Sequence, residues 1–203
     1  MSGQKNPQLL AICAGKVKPI LIRREHADQE PHRVASGIHK SAISTLSSPA
    51  FISCSKLGLD DDEQADLSVH GGIDKAIYCY PIEHYDFWKT AYPWLADQEH
   101  CFGVVGENLC VQGLMESQLW IGDFLEIGQE LILRVTKPRE PCYKFNAKMR
   151  SNVAAKLMMQ NGLSGWYAAV VREGRVKAGD DIRVKAGPRD ITVAQEYQRL
   201  LKD

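Results

Sequence analysis

The stretch Leu131-Ile132-Leu133-Arg134-Val135 contains β-branched residues and neither glycine nor proline, which predicts a buried β-strand. On its N-terminal side, short apolar runs are separated by Gly103, Gly106, Gly113, Gly122 and Gly128. Residues 9–60 contain further short apolar runs around the polar segment Arg24–Gly37, which predicts a loop. Many short strands, glycine-rich turns and few helices predict a mainly β fold, a β-barrel with peripheral helices.

Three segments predict helices outside the strands. Pro81 stands where a first helical turn tolerates a missing N–H, and aromatic residues then recur at helical spacing up to residue 92. A second helix is predicted over residues 152–160, with Ser151 as its N-cap. Thr192 and Gln195 fit a capping box, which predicts a third helix near the C-terminus.

Charge and hydropathy bear on partners and compartment. The chain has 25 Lys plus Arg and 25 Asp plus Glu, so its net charge is zero, which argues against binding of nucleic acid or of a membrane surface. No apolar run approaches the roughly 18 residues that a membrane-spanning helix needs. Residues 1–8 are polar and lack the apolar core of a secretory signal, so we expect a cytoplasmic protein.

The cysteine pattern points away from metal clusters built by the chain alone. The six cysteines are scattered without a CxxC pair, so neither a zinc knuckle nor an iron–sulfur cluster is indicated, and we expect free thiols. The sequence also lacks GxGxxG, GxxxxGK[ST], HExxH and GxSxG. Nothing in it therefore supports a nucleotide, flavin or hydrolase site.

The loop after the 131–135 strand concentrates positive charge around Cys142. One acid, Glu140, stands among six basic residues between positions 134 and 150: Arg134, Lys137, Arg139, Lys144, Lys148 and Arg150. Cations favour the thiolate, which is the nucleophile and metal ligand, and they also bind phosphate groups. The alternative is a small buried cysteine beneath a solvated charged face, and composition alone leaves the two interpretations about equal.

Two further windows contain candidate binding groups. In His70-Gly71-Gly72-Ile73-Asp74-Lys75, the paired glycines would let backbone amides approach an anion, to which Lys75 adds charge. Glu107 and Asn108 follow a pair of glycines and would line a pocket. Each window is also explained by a tight turn, and taken alone the turn is favoured.

Together these windows resemble the MOSC-domain family, named after the C-terminal domain of molybdenum cofactor sulfurases. The matching motifs occur in order over residues 8–190: Gly58–Ala65, Val69–Gly72 with Asp74-Lys75, Tyr80-Pro81 with Glu83–Tyr85, Gly106–Leu109, Gly122-Asp123, and Pro138-Arg139 with Pro141–Lys144. The resemblance implies a mostly antiparallel β-barrel that binds a molybdenum cofactor. It also implies reduction of N-hydroxylated bases, hydroxylamines or amidoximes, with electrons from a separate redox protein.

The resemblance also implies roles for individual residues. Cys142 would ligate molybdenum and so act in catalysis. Asn108, Glu107 or Asp123 would orient the substrate or supply a proton. The pterin and its phosphate would be held by a larger set: Arg139, Lys144, His70, Gly71, Gly72, Asp74, Lys75, Lys40 and Ser41.

Two departures and two alternatives accompany this interpretation. Asp61 stands where the family usually has glycine. We expect residues 1–190 to form the MOSC domain and residues 191–203 a short C-terminal helix, truncated relative to bacterial members of the family. The alternatives are a sulfur carrier with a persulfide on Cys142, and a module that binds the cofactor without catalysis.

Overall fold

The computed structural model describes residues 6–22, 31–65, 71–96 and 101–202, in which short strands alternate with a few short helices. The strands are β1 (Gln8–Ala14), β2 (Lys18–Ile22), β3 (His32–Ser36), β4 (Ser41–Thr45), β5 (Ile52–Ser55), β6 (Gly58–Leu59), β7 (Ile77–Pro81), β8 (Leu109–Gln112), β9 (Phe124–Ile127), β10 (Leu131–Pro138), β11 (Trp166–Arg172), β12 (Gly174–Val176) and β13 (Ile182–Lys185). The helices are α1 (Tyr85–Ala91), α2 (Tyr143–Lys148), α3 (Ala154–Asn161) and α4 (Val193–Leu200). Short 3-10 turns cover Ile73–Lys75, Ile82–His84 and Pro93–Leu95.

Eight strands form one large mixed sheet in the order β13-β9-β10-β11-β7-β8-β1-β4. Among the described strands of this sheet, β7 and β8 pair in parallel and the other neighbours pair antiparallel. Two small sheets, β12-β5-β6 and the hairpin β2-β3, complete the fold. The predicted mainly β fold with few helices is confirmed.

Strand β7 lies at the centre of the molecule, and all five of its residues are buried. Because strand side chains alternate between the two faces, Ile77 and Cys79 join one apolar core while Tyr78 and Tyr80 join another. The first core fills one side of the sheet, and the second also includes side chains from α1, α2 and α3. A strand buried on both faces explains why its sequence is apolar throughout instead of alternating.

The predicted closed antiparallel barrel is not confirmed. In the described residues the large sheet has two ends, β13 and β4, and its centre holds a parallel pair. The sheet nevertheless curls, because residues 179–182 donate and accept backbone hydrogen bonds with residues 7–9, including Ile182 N to Pro7 O at 2.7 Å. Glycine-rich turns predict that strands reverse, but they do not determine whether the last strand closes on the first.

The local helix predictions are confirmed in part. Thr192 and Gln195 form the predicted capping box of α4. Pro81 ends β7 and is the N-cap of the 3-10 turn that leads into α1, so it lies one residue before the helical segment. Val153, not Ser151, is the N-cap of α3. The predicted loop Arg24–Gly37 contains β3, since its polar residues pair with β2 at the surface, and residues 23–30 lie outside the described part. No helix among the described residues has the length and apolarity to cross a bilayer.

Asp61 adopts a left-handed backbone with a φ of 65°. This geometry normally disfavours side chains, and a β-branched residue tolerates it least. We expect Asp61→Val to lower the free energy of unfolding by about 1–2 kcal/mol and Asp61→Gly not to lower it. Urea denaturation checks this order, with Asp60→Val as the matched control in the same exposed loop. Equal stability of the two valine variants would contradict the prediction.

Candidate functional site

A cleft lies against the central strands β7 and β11 of the large sheet, next to the residue before β8 and the residue after β10. Its walls come from the loops that follow β3, β6 and β10. The lining residues are Ser36, Gly37, Ile38, Lys40, Asp62, Glu63, Gln64, Ala65, Lys75, Ala76, Tyr78, Gly106, Asn108, Arg139, Glu140, Cys142, Lys144 and Tyr167. Six residues that the sequence predicted for the site therefore meet here: Lys40, Lys75, Asn108, Arg139, Cys142 and Lys144.

Cys142 presents an accessible thiol to this cleft. It lies in the loop between β10 and α2, where its extended backbone precedes the helix and its carbonyl accepts the Phe145 N–H at 2.8 Å. The other five cysteines are buried, whereas Cys142 is half-buried. Burial raises the pKa of those five thiols, that of Cys54 to about 12. The chemistry expected of a thiolate is therefore concentrated at Cys142.

A nearly buried ion pair joins Lys40 and Asp62 on the cleft wall, with side-chain exposures of 8% and 5%. Asp62 also accepts the Gly15 N–H at 3.0 Å and the Asn108 Nδ2 at 2.8 Å. These contacts fix the carboxylate, and the fixed carboxylate in turn holds the Lys40 ammonium at the cleft. Removal of one partner from a buried ion pair lowers the free energy of unfolding by about 3–5 kcal/mol, since it leaves the other charge uncompensated.

Two further lysines give the cleft its positive groups. The Lys144 Nζ donates to the Ala35 carbonyl at 3.1 Å, which ties α2 to β3. Lys75 belongs to the 3-10 turn that β10 holds through a 2.6 Å hydrogen bond from Thr136 Oγ1 to the Asp74 carbonyl. Three ammonium groups, those of Lys40, Lys75 and Lys144, thus line the space next to Cys142.

The other carboxylates of the lining are engaged in the wall. Glu63 accepts the Val17 N–H at 2.8 Å, and Glu140 forms an ion pair with Lys137 at 2.7 Å. Both contacts hold loop segments in place. The cleft can therefore accept an anion at its lysines without displacing Glu63 or Glu140 from these partners.

Arg139 lines the cleft, but its guanidinium contacts residues of the cleft wall. It is 5% exposed, and its Nη1 donates to the Val105 carbonyl at 3.1 Å and to Tyr78 Oη at 3.4 Å. The guanidinium also lies over the Tyr78 and Phe145 rings, 4.9 and 4.7 Å from their centroids. Contacts with two rings and a carbonyl brace the loop that presents Cys142.

Two of the three residues predicted to act on the substrate lie outside the cleft lining. Glu107 and Asp123 are fully buried and are not among the cleft-lining residues. Glu107 accepts hydrogen bonds from Tyr85 Oη and the Gly103 N–H, and its Oε2 has no partner among the described residues. Asp123 accepts the backbone N–H groups of residues 120 and 187 at 3.1 and 2.9 Å, which shapes a turn.

Asn108 lines the cleft, but its side-chain amide is hydrogen-bonded to the surrounding segments. Its Oδ1 accepts the Tyr78 N–H at 3.1 Å, and its Nδ2 donates to Asp62 and, at 3.3 Å, to the Cys13 carbonyl. The side chain therefore joins β1, β7 and the loop after β6. Its geometry is that of a structural connector at the cleft floor.

Gly71 and Gly72 of the predicted anion-binding segment do not line the cleft, but they contact Gln64, which does. His70 lies outside the described residues. The Gly72 N–H donates to Gln64 Oε1 at 2.8 Å, and a Cβ at Gly71 would lie 2.0 Å from the same atom, so a side chain there would displace the Gln64 side chain. Asp74 faces outward in an exposed 3.5 Å ion pair with Arg134, and Ser41 is an exposed residue at the start of β4.

Sequence reasoning assigned no role to several residues that the structure places in the cleft. Asp62 and Gln64 belong to the Gly58–Ala65 motif, which was noted only as a family marker. Tyr78 and Tyr167 also line the wall, with ring centroids 5.3 Å apart. The available signal is the clustering of four acids with Gln64 in one short loop, but nothing in the sequence shows that this loop faces Cys142.

Comparisons with known proteins agree with this geometry. The family model described as MOSC domain matches residues 66–183. Protein YiiM of Escherichia coli strain K12 is 38% identical over 157 residues, which cover 76% of this chain and 68% of that protein. The crystal structure of YiiM from Geobacillus stearothermophilus superposes with a TM-score of 0.69 at 26% identity, covering 96% of this chain and 83% of that one.

A longer relative is also similar. A protein named Reductase from Gibberella moniliformis is 30% identical over 194 residues, which cover 96% of this chain and 32% of that protein. The chain thus spans about a third of the length of that relative.

The buried Glu107 predicts a pH dependence of stability. Burial raises the pKa of Glu107, although the Tyr85 and Gly103 hydrogen bonds oppose the effect. The folded state then binds the proton more tightly than the unfolded state, so stability falls as the pH rises from the unfolded pKa through the folded pKa. Glu107→Gln removes this effect, and we expect the variant to gain stability relative to wild type as the pH rises from acidic to neutral values. Urea denaturation across this range measures the difference, and a constant difference would contradict the prediction.

Proposed function

We propose, because this chain belongs to the MOSC domain family, that it binds a molybdenum cofactor in the cleft and reduces N-hydroxylated compounds. MOSC domains are associated with this cofactor, and one relative carries the name Reductase. The observation that supports the proposal most directly is the convergence of one accessible thiol and three lysine ammonium groups in one cleft. The substrate class that we propose is hydroxylaminopurines and amidoximes.

The residues present fit the chemistry of such a cofactor. A thiolate is a soft ligand and suits a metal that the cofactor already holds through sulfur, which assigns the metal to Cys142. The ammonium groups of Lys40, Lys75 and Lys144 suit a phosphate, since charged hydrogen bonds to phosphate are strong and tolerate small shifts. Gly71, Gly72 and Asp74 would then support the cleft walls from outside the lining.

When bound, the cofactor would supply two-electron chemistry, while the protein positions and tunes it. The overall reaction is R–NH–OH plus two electrons and two protons, giving R–NH2 and water. Cys142 would fix the metal at the end of β10, and Asp62 would hold Lys40 in place. The Tyr78 and Tyr167 rings, which are tilted 44° to each other, form an aromatic wall that suits contact with a base. Glu107, Asn108 and Asp123 would maintain the backbone around the cleft.

The electrons would come from a separate redox protein, since the sequence has no nucleotide or flavin motif. We propose a cytoplasmic location and a role in detoxification of N-hydroxylated bases. The zero net charge gives no support to a nucleic-acid partner.

The metal content of the protein tests the proposal. Protein from a host that makes the cofactor should contain near-stoichiometric molybdenum and pterin, and Cys142→Ala should lose the metal because its ligand is gone. Elemental analysis and pterin fluorescence measure both, with the buried thiol variant Cys101→Ala as the matched control. No metal in the wild type would contradict the proposal, and a persulfide on Cys142 would then favour a sulfur carrier. Bound cofactor without turnover would favour a binding module.

The phosphate-binding role of the cleft lysines can be tested at Lys144. Loss of one charged hydrogen bond costs about 1.5–3 kcal/mol, so Lys144→Gln should weaken pterin-cofactor binding about tenfold or more. Fluorescence titration with the metal-free pterin cofactor measures the affinity. Lys156→Gln, on the exposed surface of α3, is the matched control and should bind as the wild type does. Unchanged affinity of the Lys144 variant would assign the phosphate to another place.

A further inference from the structure

We propose that a basic surface beside the cleft is the docking site for the acidic face of an electron-donating redox protein. The surface consists of Lys18, His39, Lys144 and Lys148 and is called here the basic rim. The inference rests on the proposed function, which needs two electrons from a partner. It adds the place where this partner binds and the charge that its surface must carry.

The members of the basic rim are neighbours in space. The Lys148 Nζ lies 3.5 Å from His39 Nδ1, and Lys144 is one helical turn away on α2. Lys144 reaches the Ala35 carbonyl of β3, and the register of the hairpin places Ala35 opposite the residue that follows Lys18. Burial, Lys148 and Lys18 together lower the pKa of His39, which agrees with crowding of positive groups.

Positive charge on the basic rim has few carboxylate partners. Among the described residues, neither Lys18 nor Lys148 forms an ion pair, although burial lowers the pKa of Lys148 and the buried Glu107 carboxylate opposes this effect. Several exposed basic groups at other places do form ion pairs: Lys16 with Asp61 and Glu63, Lys137 with Glu140, Arg134 with Asp74, Arg175 with Glu130, Arg183 with Glu126, and Arg199 with Glu196. Within the described part of the chain, the rim therefore carries positive charge that no surface carboxylate contacts.

The position of the basic rim fits electron delivery. Helix α2 begins at the residue after Cys142. At a rise of 1.5 Å per residue, Lys144 and Lys148 follow Cys142 by about 3 Å and about 9 Å along the helix axis. A donor must approach the metal closely, and a partner seated on the rim would face the cleft mouth. Opposite charges would also steer the encounter and fix its orientation.

An acidic protein fits this surface better than other anionic partners. The rim has three lysines and one histidine with a lowered pKa, which is a small footprint for nucleic acid, and the net charge of the chain gives no general attraction. A small anion would be held by the enclosed lysines of the cleft itself. The exposed Lys18 at the hairpin is in reach of a large partner that covers both the hairpin and α2.

The test uses flavodoxin, an acidic redox protein with a flavin, as the probe. Isothermal titration measures its Kd for the full chain at low and at about 150 mM ionic strength, where screening shortens charge interactions. Wild type should bind at low salt and weaken with salt. The double variant Lys18→Glu with Lys148→Gln should raise the Kd about tenfold. Lys18→Glu alone, at an exposed position, should act in the same direction and avoids any folding defect at Lys148.

The matched control is Lys185→Glu on β13, an exposed lysine on the edge strand, which should leave the Kd unchanged. A wild type that does not bind flavodoxin, or rim variants that bind as tightly as wild type, would overturn the docking proposal. Turnover by metal-loaded protein with photoreduced deazaflavin, an uncharged small reductant, separates the two hypotheses. Absence of turnover with this reductant would count against the reductase function, while the Kd series still decides the docking site.

Discussion

The carboxylate of Asp62 is the contact on which the cleft depends. It is nearly buried, yet it is held by a backbone N–H from Gly15, the side-chain amide of Asn108 and the ammonium of Lys40. Three donors from separate segments offset the cost of burying this charge. The loop after β6 is thereby tied to the N-terminal strand, to the start of β8 and to the segment before β4. The walls formed by the loops after β3 and β6 and by Asn108 therefore connect to this one group.

The Cys142 loop is held by a different kind of interaction. Arg139 is enclosed by aromatic rings and a carbonyl, so its position depends on packing as much as on charge. A lysine at this position would not reproduce a planar group that stacks on two rings and donates in the same plane. The two sides of the cleft therefore respond to different perturbations. Charge substitutions act on the Asp62 side, and changes of side-chain volume act on the Arg139 side.

Sequence could predict the parts of this protein that local chemistry controls. The capping box at Thr192 needs only two residues, and the strand at 131–135 needs only its own composition. Cys142 was found because basic residues cluster beside it in sequence. Closure of the sheet is not confirmed, because it depends on pairing between distant segments, and β3 was predicted as loop because only its pairing with β2 makes its polar sequence a strand. Glu107 and Asp123 were assigned to the substrate since acids in a family motif suggest chemistry, whereas only the fold shows that they are enclosed.

Because Cys142 is half-exposed and the other five cysteines are buried, the folded protein has one site that a thiol-reactive dye can label. A maleimide dye added to the folded chain should attach to a single sulfur atom at the cleft mouth. Fluorescence from that dye would then follow occupancy of the cleft in real time, without any engineered cysteine. Peroxide would act at the same atom first, so oxidative inactivation should appear as a one-site event long before the interior thiols react.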